Sequence, residues 1–565
     1  MHRMRFLLSL AAAVVAVPLF AADAPPPVVS RAVRAFSADA IAAHDKFLAS
    51  DLLEGRGPGT RGNQIAMEYI AAQFEAVGLK PDGDNGTYFQ KVALLGVDTD
   101  ETKTSISFTK EGAPAIGPLK YLDDVVTSDE TQTQAQTGVT AIDSELVFVG
   151  HGVVAPEYKW NDYKDLATKG KTLVMLVDDP PANPSEPDLF KGKARTYYGR
   201  WTYKYEIGGR QGADGVILIH TNDAAGYPWS VVRNSWGAER SYGRRAATDP
   251  ALKFAGWITQ DVARQLFKAA GQDLDALMKV ASSRDFKPVP LGGYRLNASI
   301  ASKSRAFDTA NVVAKLEGVD PVLSREAVLY SAHHDHLGIG EPDKTGDTIY
   351  NGAIDNASGC ALLIEMARVW ALTTPKPKRS IIFNAVAAEE QGLLGSEYYG
   401  KHPTVPAGRI AMNINFDAIP ELGRVRDVYM NGIERTTFYP AAQKIAKAMG
   451  ITIVPDPEPE QGHYYRSDHF SLGKVGVPAV SVDPGQDVIG KDPGWGKQAS
   501  EDYRENRYHQ PSDEFDPKWD WAEAVEMGQL GFWMGWEVAN APAMPNWLPG
   551  DEFRAVRDAS LKAAK

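Results

Sequence analysis

Apolar residues recur along the chain in three successive textures. Between residues 38 and 78 they fall at helical spacing. Ile41, Phe47 and Leu48 come first; Ile65, Met67, Ile70, Ala71, Phe74 and Val77 follow the Gly-rich turn Glu54-Gly55-Arg56-Gly57-Pro58-Gly59. Gly78 stops the second helix, and short alternating strands run on towards Phe108. From about Ser144 the pattern changes to compact apolar runs, 146–149, 172–177 and 215–219, separated by turn-rich stretches such as Asp178-Asp179-Pro180-Pro181. That block, ending near Pro290, reads as a β-rich insertion. Beyond it, strand-like runs at 327–332, 380–386 and 410–416 alternate with helical stretches at 361–370 and 438–449. Strands interleaved with helices imply the α/β class, with a mixed, mostly parallel sheet covered by helices. The expected organisation is one domain from 23–140 and 291–565, interrupted by a smaller inserted domain at 141–290.

The start of the chain has its own signature. Arg3 and Arg5 precede an apolar run at 6–20, and Ala21, Ala22 and Ala24 lead into Pro25-Pro26-Pro27. A charged start, a short apolar core and small residues make a secretory signal, assigned to residues 1–22. The run is short for a bilayer core of about 30 Å. The mature protein is therefore expected in the periplasm or outside the cell, with no membrane insertion after cleavage. A formal net charge of -12 supplies no basic surplus to neutralise phosphates, which excludes a nucleic-acid partner. The single cysteine, Cys360, allows no intrachain disulfide and sits in an apolar helical stretch as a packing residue.

Candidate chemistry collects where the strand runs stop. In open α/β sheets reactive groups gather beyond the carboxyl ends of strands. After the run at 327–332 comes His333-His334-Asp335-His336; after 380–386 come Ala387-Ala388-Glu389-Glu390; Asp417 follows 410–416. Asp355 opens a helix in Asp355-Asn356-Ala357-Ser358-Gly359, and His509 lies in the polar loop Tyr508-His509-Gln510-Pro511-Ser512-Asp513. Singly, each has an ordinary reading: a helix cap, a solvated helix start, a surface histidine. Together they bring carboxylates and imidazoles to one sheet edge, a donor mixture that suits zinc. Two metals need a bridging acid and further ligands for each, and His333, Asp355, Glu390, Asp417 and His509 supply that number. Glu389, left over beside a ligand, stands where a base for a metal-activated water must sit.

These segments closely resemble metallopeptidase family 28, the dizinc aminopeptidases and glutamate carboxypeptidases. The resemblance lies in Ser331-Ala332-His333-His334-Asp335-His336-Leu337-Gly338, Gly352-Ala353-Ile354-Asp355-Asn356-Ala357-Ser358-Gly359 and Glu389-Glu390-Gln391-Gly392-Leu393-Leu394-Gly395-Ser396. Asn415-Phe416-Asp417, Arg466-Ser467-Asp468-His469 and Tyr508-His509 extend it. The resemblance implies a zinc-exopeptidase, phosphorylase/hydrolase-like fold and two Zn2+ per chain. It implies that Asp355 bridges the metals, that His333 and Asp417 complete one site, and that Glu390 and His509 complete the other. It also implies that Asp335 orients His333 and that Tyr464 donates to the oxyanion, with Tyr465 as its alternative. His334, in place of the usual aromatic, is read as structural together with His336 and His469. The block at 141–290, through Val147-Phe148-Val149-Gly150-His151-Gly152-Val153-Val154-Ala155-Pro156, resembles a protease-associated domain. Its Arg240, Arg244 and Arg245 are read as a solvated loop. The implied activity is peptide hydrolysis, with an aminopeptidase first. A glutamate carboxypeptidase or dipeptidase is the alternative, and a single-zinc glutaminyl cyclase or a non-catalytic binding relative stands further off.

Overall fold

The structure, a computed structural model, describes residues 25–245, 248–419 and 422–564. The expected signal segment, 1–22, lies outside them. One 15-stranded sheet organises the molecule. On one side, Ala479–Ser481, Ile410–Asn415, Ala327–His333 and Ser380–Val386 lie side by side and parallel. Ala327–His333 and Ser380–Val386 are buried at every residue, which is why they read as unbroken apolar runs rather than as alternating ones. Helices Gly359–Leu372 and Ala522–Asn540 pack over this block, where the Trp370 and Phe532 rings meet at 4.5 Å. Each Leu, Ile or Phe sealed there stabilises the fold by about 1.5–3 kcal/mol relative to exposure.

A second parallel block, Gln136–Phe148, Lys171–Leu176, Gly215–Ile219 and Phe254–Ile258, builds the other side. Helices Trp201–Arg210, Trp229–Gly237, Gln260–Ala269 and Leu274–Ala281 belong to it. The segment 141–290, expected to be rich in strands, is thus an α/β layer of its own, with two separate apolar clusters on the faces of its sheet. The two blocks are joined by a single strand of 28 residues, Val289–Leu316. Its first half pairs antiparallel with Gln136–Phe148, and its second half with Phe89–Thr99 and Ser380–Val386. Arg240–Gly243 adds a further tie by pairing with Phe89–Thr99. That segment is a strand with Arg240 buried, not the solvated loop expected of it.

The amino-terminal helices serve the strand ends. Thr60 caps Arg61–Ala76 by accepting the Asn63 N–H at 3.2 Å. The preceding turn carries Arg56, fully buried, which donates to the carbonyls of Leu48, His334, Asn351 and Gly352 at 2.5–3.0 Å. One guanidinium thereby fixes both the loop after His333 and the turn before Asp355. Among the described residues, no helix is long and apolar enough to cross a membrane.

Candidate metal centre

Five of the expected ligands meet in one place. His333 is the last residue of its strand and 1% exposed. Its Nε2 lies 3.1 Å from Asp355 Oδ1 and 3.2 Å from Asp417 Oδ1. His509 Nε2 lies 3.3 Å from Asp355 Oδ2 and 3.0 Å from Glu390 Oε2. Asp355 therefore turns one oxygen to each imidazole, between His333 with Asp417 on one side and His509 with Glu390 on the other. Its own position is fixed by Asp513, whose carboxylate accepts the N–H groups of Ile354 and Asp355 at 3.2 Å each.

The donor chemistry fits metal ions. Zinc bound at about 2.0–2.2 Å in a tetrahedron sets neighbouring ligand atoms about 3.3–3.6 Å apart, close to the spacings found here. Both imidazoles are held from behind. His333 Nδ1 faces the Asp335 carbonyl at 3.2 Å, and His509 Nδ1 faces Ser235 Oγ at 3.0 Å. That leaves each Nε2 pointing at carboxylate oxygens, and His509 Nε2 has no hydrogen-bond partner of adequate geometry. Only a positive charge between them, a proton or a metal ion, reconciles these nitrogens with the oxygens they face. The electrostatics agree. Burial alone lowers the pKa of His509, yet Glu390 and Asp355 outweigh it and lift the imidazole to about 10. Burial raises Asp355, but hydrogen bonds from His333 and His509 hold it well below the usual carboxylate range. The cluster stabilises positive charge.

Glu389 borders the same cluster without belonging to either trio that shares Asp355. Its N–H donates to Asp335 Oδ1 at 3.1 Å, and burial, then Glu390 and Asp417, raise its pKa well above the ordinary value. The Asp335 carboxylate stands 3.8 Å from His333 Nδ1, so the contact that orients the ring is made by the Asp335 backbone, while the side chain anchors Glu389. His336, expected to be purely structural, places Nδ1 2.6 Å from Glu390 Oε1 and steadies that carboxylate. His334 is satisfied by Asn63 and the Ala310 carbonyl, away from the cluster. The Cys360 thiol is buried against the His333 carbonyl.

Tyr464 is not brought to the site. Its ring packs in an aromatic cluster with Phe470, Trp547 and Phe553, and its hydroxyl, without a hydrogen-bond partner, points at Gly473. The physical reason is apolar burial: the ring is worth more in that cluster than its hydroxyl is in the cleft. The Tyr465 hydroxyl is committed to Glu552 at 2.7 Å. Tyr508, its ring centroid 4.0 Å from that of His509, lines the cavities on both sides of Glu389, as does Tyr227. The adjacency of Tyr508 to the ligand histidine in sequence was the available signal. No local signal could have found Ser235, or Asn234, whose amide donates to the His509 carbonyl at 3.3 Å, because both come from the insertion.

A cavity of about 470 Å³ opens from Asp355, Glu389 and Asp417 towards Tyr429, Asp483 and Arg504. A narrower one, about 100 Å³, leaves from Glu389, Glu390 and His509 towards the insertion.

Fold and site together define an α/β protein whose parallel strands end at a buried cluster of imidazoles and carboxylates with a donor set that fits metal ions. Residues 311–532 match the profile described as Peptidase family M28. It is 38% identical over 109 residues to a "Probable zinc metalloprotease" of Pyrenophora teres f. teres, covering 19% of this chain and 22% of that protein. Similarity to a "Glutamate carboxypeptidase 2 homolog" of Caenorhabditis briggsae is 24% identity, covering 75% of this chain and 59% of that protein. The chain spans about a quarter of the length of the first curated relatives it matches. Among solved structures, an aminopeptidase from Aneurinibacillus sp. strain AM-1 aligns with a TM-score of 0.48 at 18% identity, covering 93% of this chain and 98% of that one.

Proposed function

We propose that the chain is a metallo-exopeptidase that works with two zinc ions, first of all an aminopeptidase releasing N-terminal residues from peptides. The observation that carries this reading is Asp355, with one oxygen towards His333 and the other towards His509. His333, Asp355 and Asp417 would hold one ion, and Asp355, Glu390 and His509 the other. When bound, the two ions supply a positive field that acidifies water and polarises a peptide carbonyl.

The chain's own residues do the rest. Glu389, in an environment that favours its protonated form, takes a proton and later returns it to the leaving amine. Asp335 holds the Glu389 backbone, and Arg56 holds the two loops that carry His333 and Asp355. Tyr508 replaces Tyr464 as the phenol placed to share charge developing on the carbonyl oxygen. Segment 141–290 is read as a protease-associated insertion that frames the cleft, supported by its Ser235 against His509. Export to the periplasm or the exterior is read from residues 1–22. A glutamate carboxypeptidase-like or dipeptidase activity is the second reading, favoured by Arg200, Arg240 and Arg466, which line the narrower cavity.

Metal analysis of the purified chain should return two zinc ions, and Glu389→Gln should retain both while losing about 10²–10⁴-fold in turnover of aminoacyl-arylamides or dipeptides. Undiminished turnover in that variant, or one ion per chain in the parent, overturns the reading.

A further inference from the structure

The parallel block of the insertion has a cavity of its own, separate from the two that meet Glu389. It holds about 620 Å³, more than the cavity of about 470 Å³ beside Asp355, and falls in the size range of pockets that enclose small molecules. Its floor lies where the parallel strands Lys171–Leu176 and Gly215–Ile219 end, at Leu176, Asp178 and Ile219, with His151 beside them. Helix Leu274–Ala281 contributes Met278 and Lys279 from another side. Ligands of open α/β sheets settle in that position, outside the carboxyl ends of parallel strands.

The fold pairs most of the charges there and leaves particular atoms over. Asp179 accepts the N–H and the hydroxyl of Thr196, and Asp275 pairs with Arg264. Asp178 uses only one oxygen. Its Oδ1 takes the Arg195 Nε–H at 3.1 Å and the Asp179 N–H at 3.0 Å, while Oδ2 accepts nothing among the described residues. His151 is 6% exposed, and its Nδ1–H donates to the Asp178 carbonyl at 3.0 Å. Nε2 is therefore an acceptor, and the fold gives it no partner. Burial, and then Lys204, hold that imidazole neutral, with its pKa down at about 3. Lys279, on the helix side, has no carboxylate within ion-pair distance among the described residues.

An open carboxylate oxygen beside an unfilled imidazole nitrogen calls for an ammonium, and an unpaired lysine calls for a carboxylate. Leu176, Ile219 and Met278 in the same lining call for an apolar side chain. A simple anion would leave Asp178 and His151 unanswered, and a simple cation would leave Lys279. We infer that this cavity binds a small apolar zwitterion, a free amino acid or a dipeptide, with its ammonium on Asp178 and its carboxylate on Lys279. The source of the ligand rests on the peptidase reading, because exopeptidases release amino acids and shorten peptides to dipeptides. The site is also joined to the cleft. Arg195, the partner of Asp178, donates its N–H to the Pro459 carbonyl, in a segment whose Asp456, Glu458 and His463 line the cavity beside Asp355.

Calorimetric titration of the zinc-loaded Glu389→Gln chain, which spares the peptide from turnover, tests this with L-leucine, L-leucyl-L-leucine, N-acetyl-L-leucine and L-leucinol. At least one of the two zwitterions should bind about fivefold or more tighter than N-acetyl-L-leucine, which lacks the ammonium, and L-leucinol, which lacks the carboxylate. Which zwitterion does so identifies the ligand. Lys279→Gln should remove the advantage over L-leucinol, and Asp178→Asn the advantage over N-acetyl-L-leucine. Lys279 is exposed on its helix, so its substitution keeps the test valid should Asp178→Asn, which deprives Arg195 of its partner, fail to melt cooperatively. Zwitterions that bind no tighter than the one-charge analogues overturn the site. So does an advantage that Lys279→Gln leaves intact, because the zinc ions would then hold the ligand. Lys279-dependent binding in a chain whose parent hydrolyses no peptide refutes the peptidase reading alone, and hydrolysis without such binding refutes the site alone.

Discussion

Two sets of parallel strands in this protein end in buried charge, and they differ in what the charges face. In the insertion, Lys171–Leu176 runs into Asp178 and Asp179. There Lys204 donates to the carbonyls of His151 and Asp178, Arg195 pairs with Asp178, and Asp179 accepts from both the N–H and the hydroxyl of Thr196. Nearly every donor meets an acceptor. Beside Ala327–His333 the arrangement is the opposite, with imidazole nitrogens turned to carboxylate oxygens at 3.0–3.3 Å, contacts that need a positive charge, a proton or a metal ion, between them. Buried acid is therefore no sign of a reactive site. The sign is a cluster whose charges balance only when a cation is added.

Three substitutions probe that contrast. Lys204→Met should cost about 3 kcal/mol of stability, because it strands the buried Asp179, while leaving metal content unchanged. Thermal unfolding alongside metal analysis reads both, and loss of zinc would erase the distinction between the two clusters. Ser235→Ala removes the support behind His509 and should weaken metal binding about 10–100-fold, seen by competition with a chelator. An unaltered affinity would make the insertion a bystander. Tyr464→Phe deletes a hydroxyl that has no partner and should change stability by less than about 1 kcal/mol and turnover by less than about twofold. A loss of about 100-fold, the cost of an oxyanion donor, would restore the role first expected of Tyr464.

What the sequence made legible follows from burial on both faces. Ala327–His333, Ser380–Val386 and Ile410–Asn415 announce themselves as apolar runs, and the residue after each run is where chemistry collects. His333, Glu390 and Asp417 were readable for that reason, whereas Asp355, at a helix start, and His509, in a polar loop, follow no such run. Val289–Leu316 was not, since Gly292-Gly293 reads as a turn, and is in fact an irregularity where the pairing shifts register, and Ser302, Lys303, Ser304 and Arg305 lack any apolar period although they are paired. Helix Gln260–Ala269 was missed inside a block read as strands, because short apolar runs dominated its surroundings. Tyr464 failed for a different reason. Spacing within Tyr464-Tyr465-Arg466-Ser467-Asp468 cannot tell which way a short helical turn rotates its rings, and apolar contacts settled it. Support from Ser235, and the meeting of Arg200 with Arg466 at the narrower cavity, are long-range contacts with no local trace.

The strand Val289–Leu316 has a consequence for how the molecule comes into being. Phe89 finds its partner only in Val312, and Gln136 only in Ser304. The first helices and the whole intervening block must be synthesised before this strand can join the two halves of the sheet. Closure across such sequence separations is slow, and the unpaired edge of Phe89–Thr99 stays available to other chains meanwhile. The cleft is thus a late product of folding, and substitutions in this one strand should appear as lost yield of native protein before they appear as altered turnover.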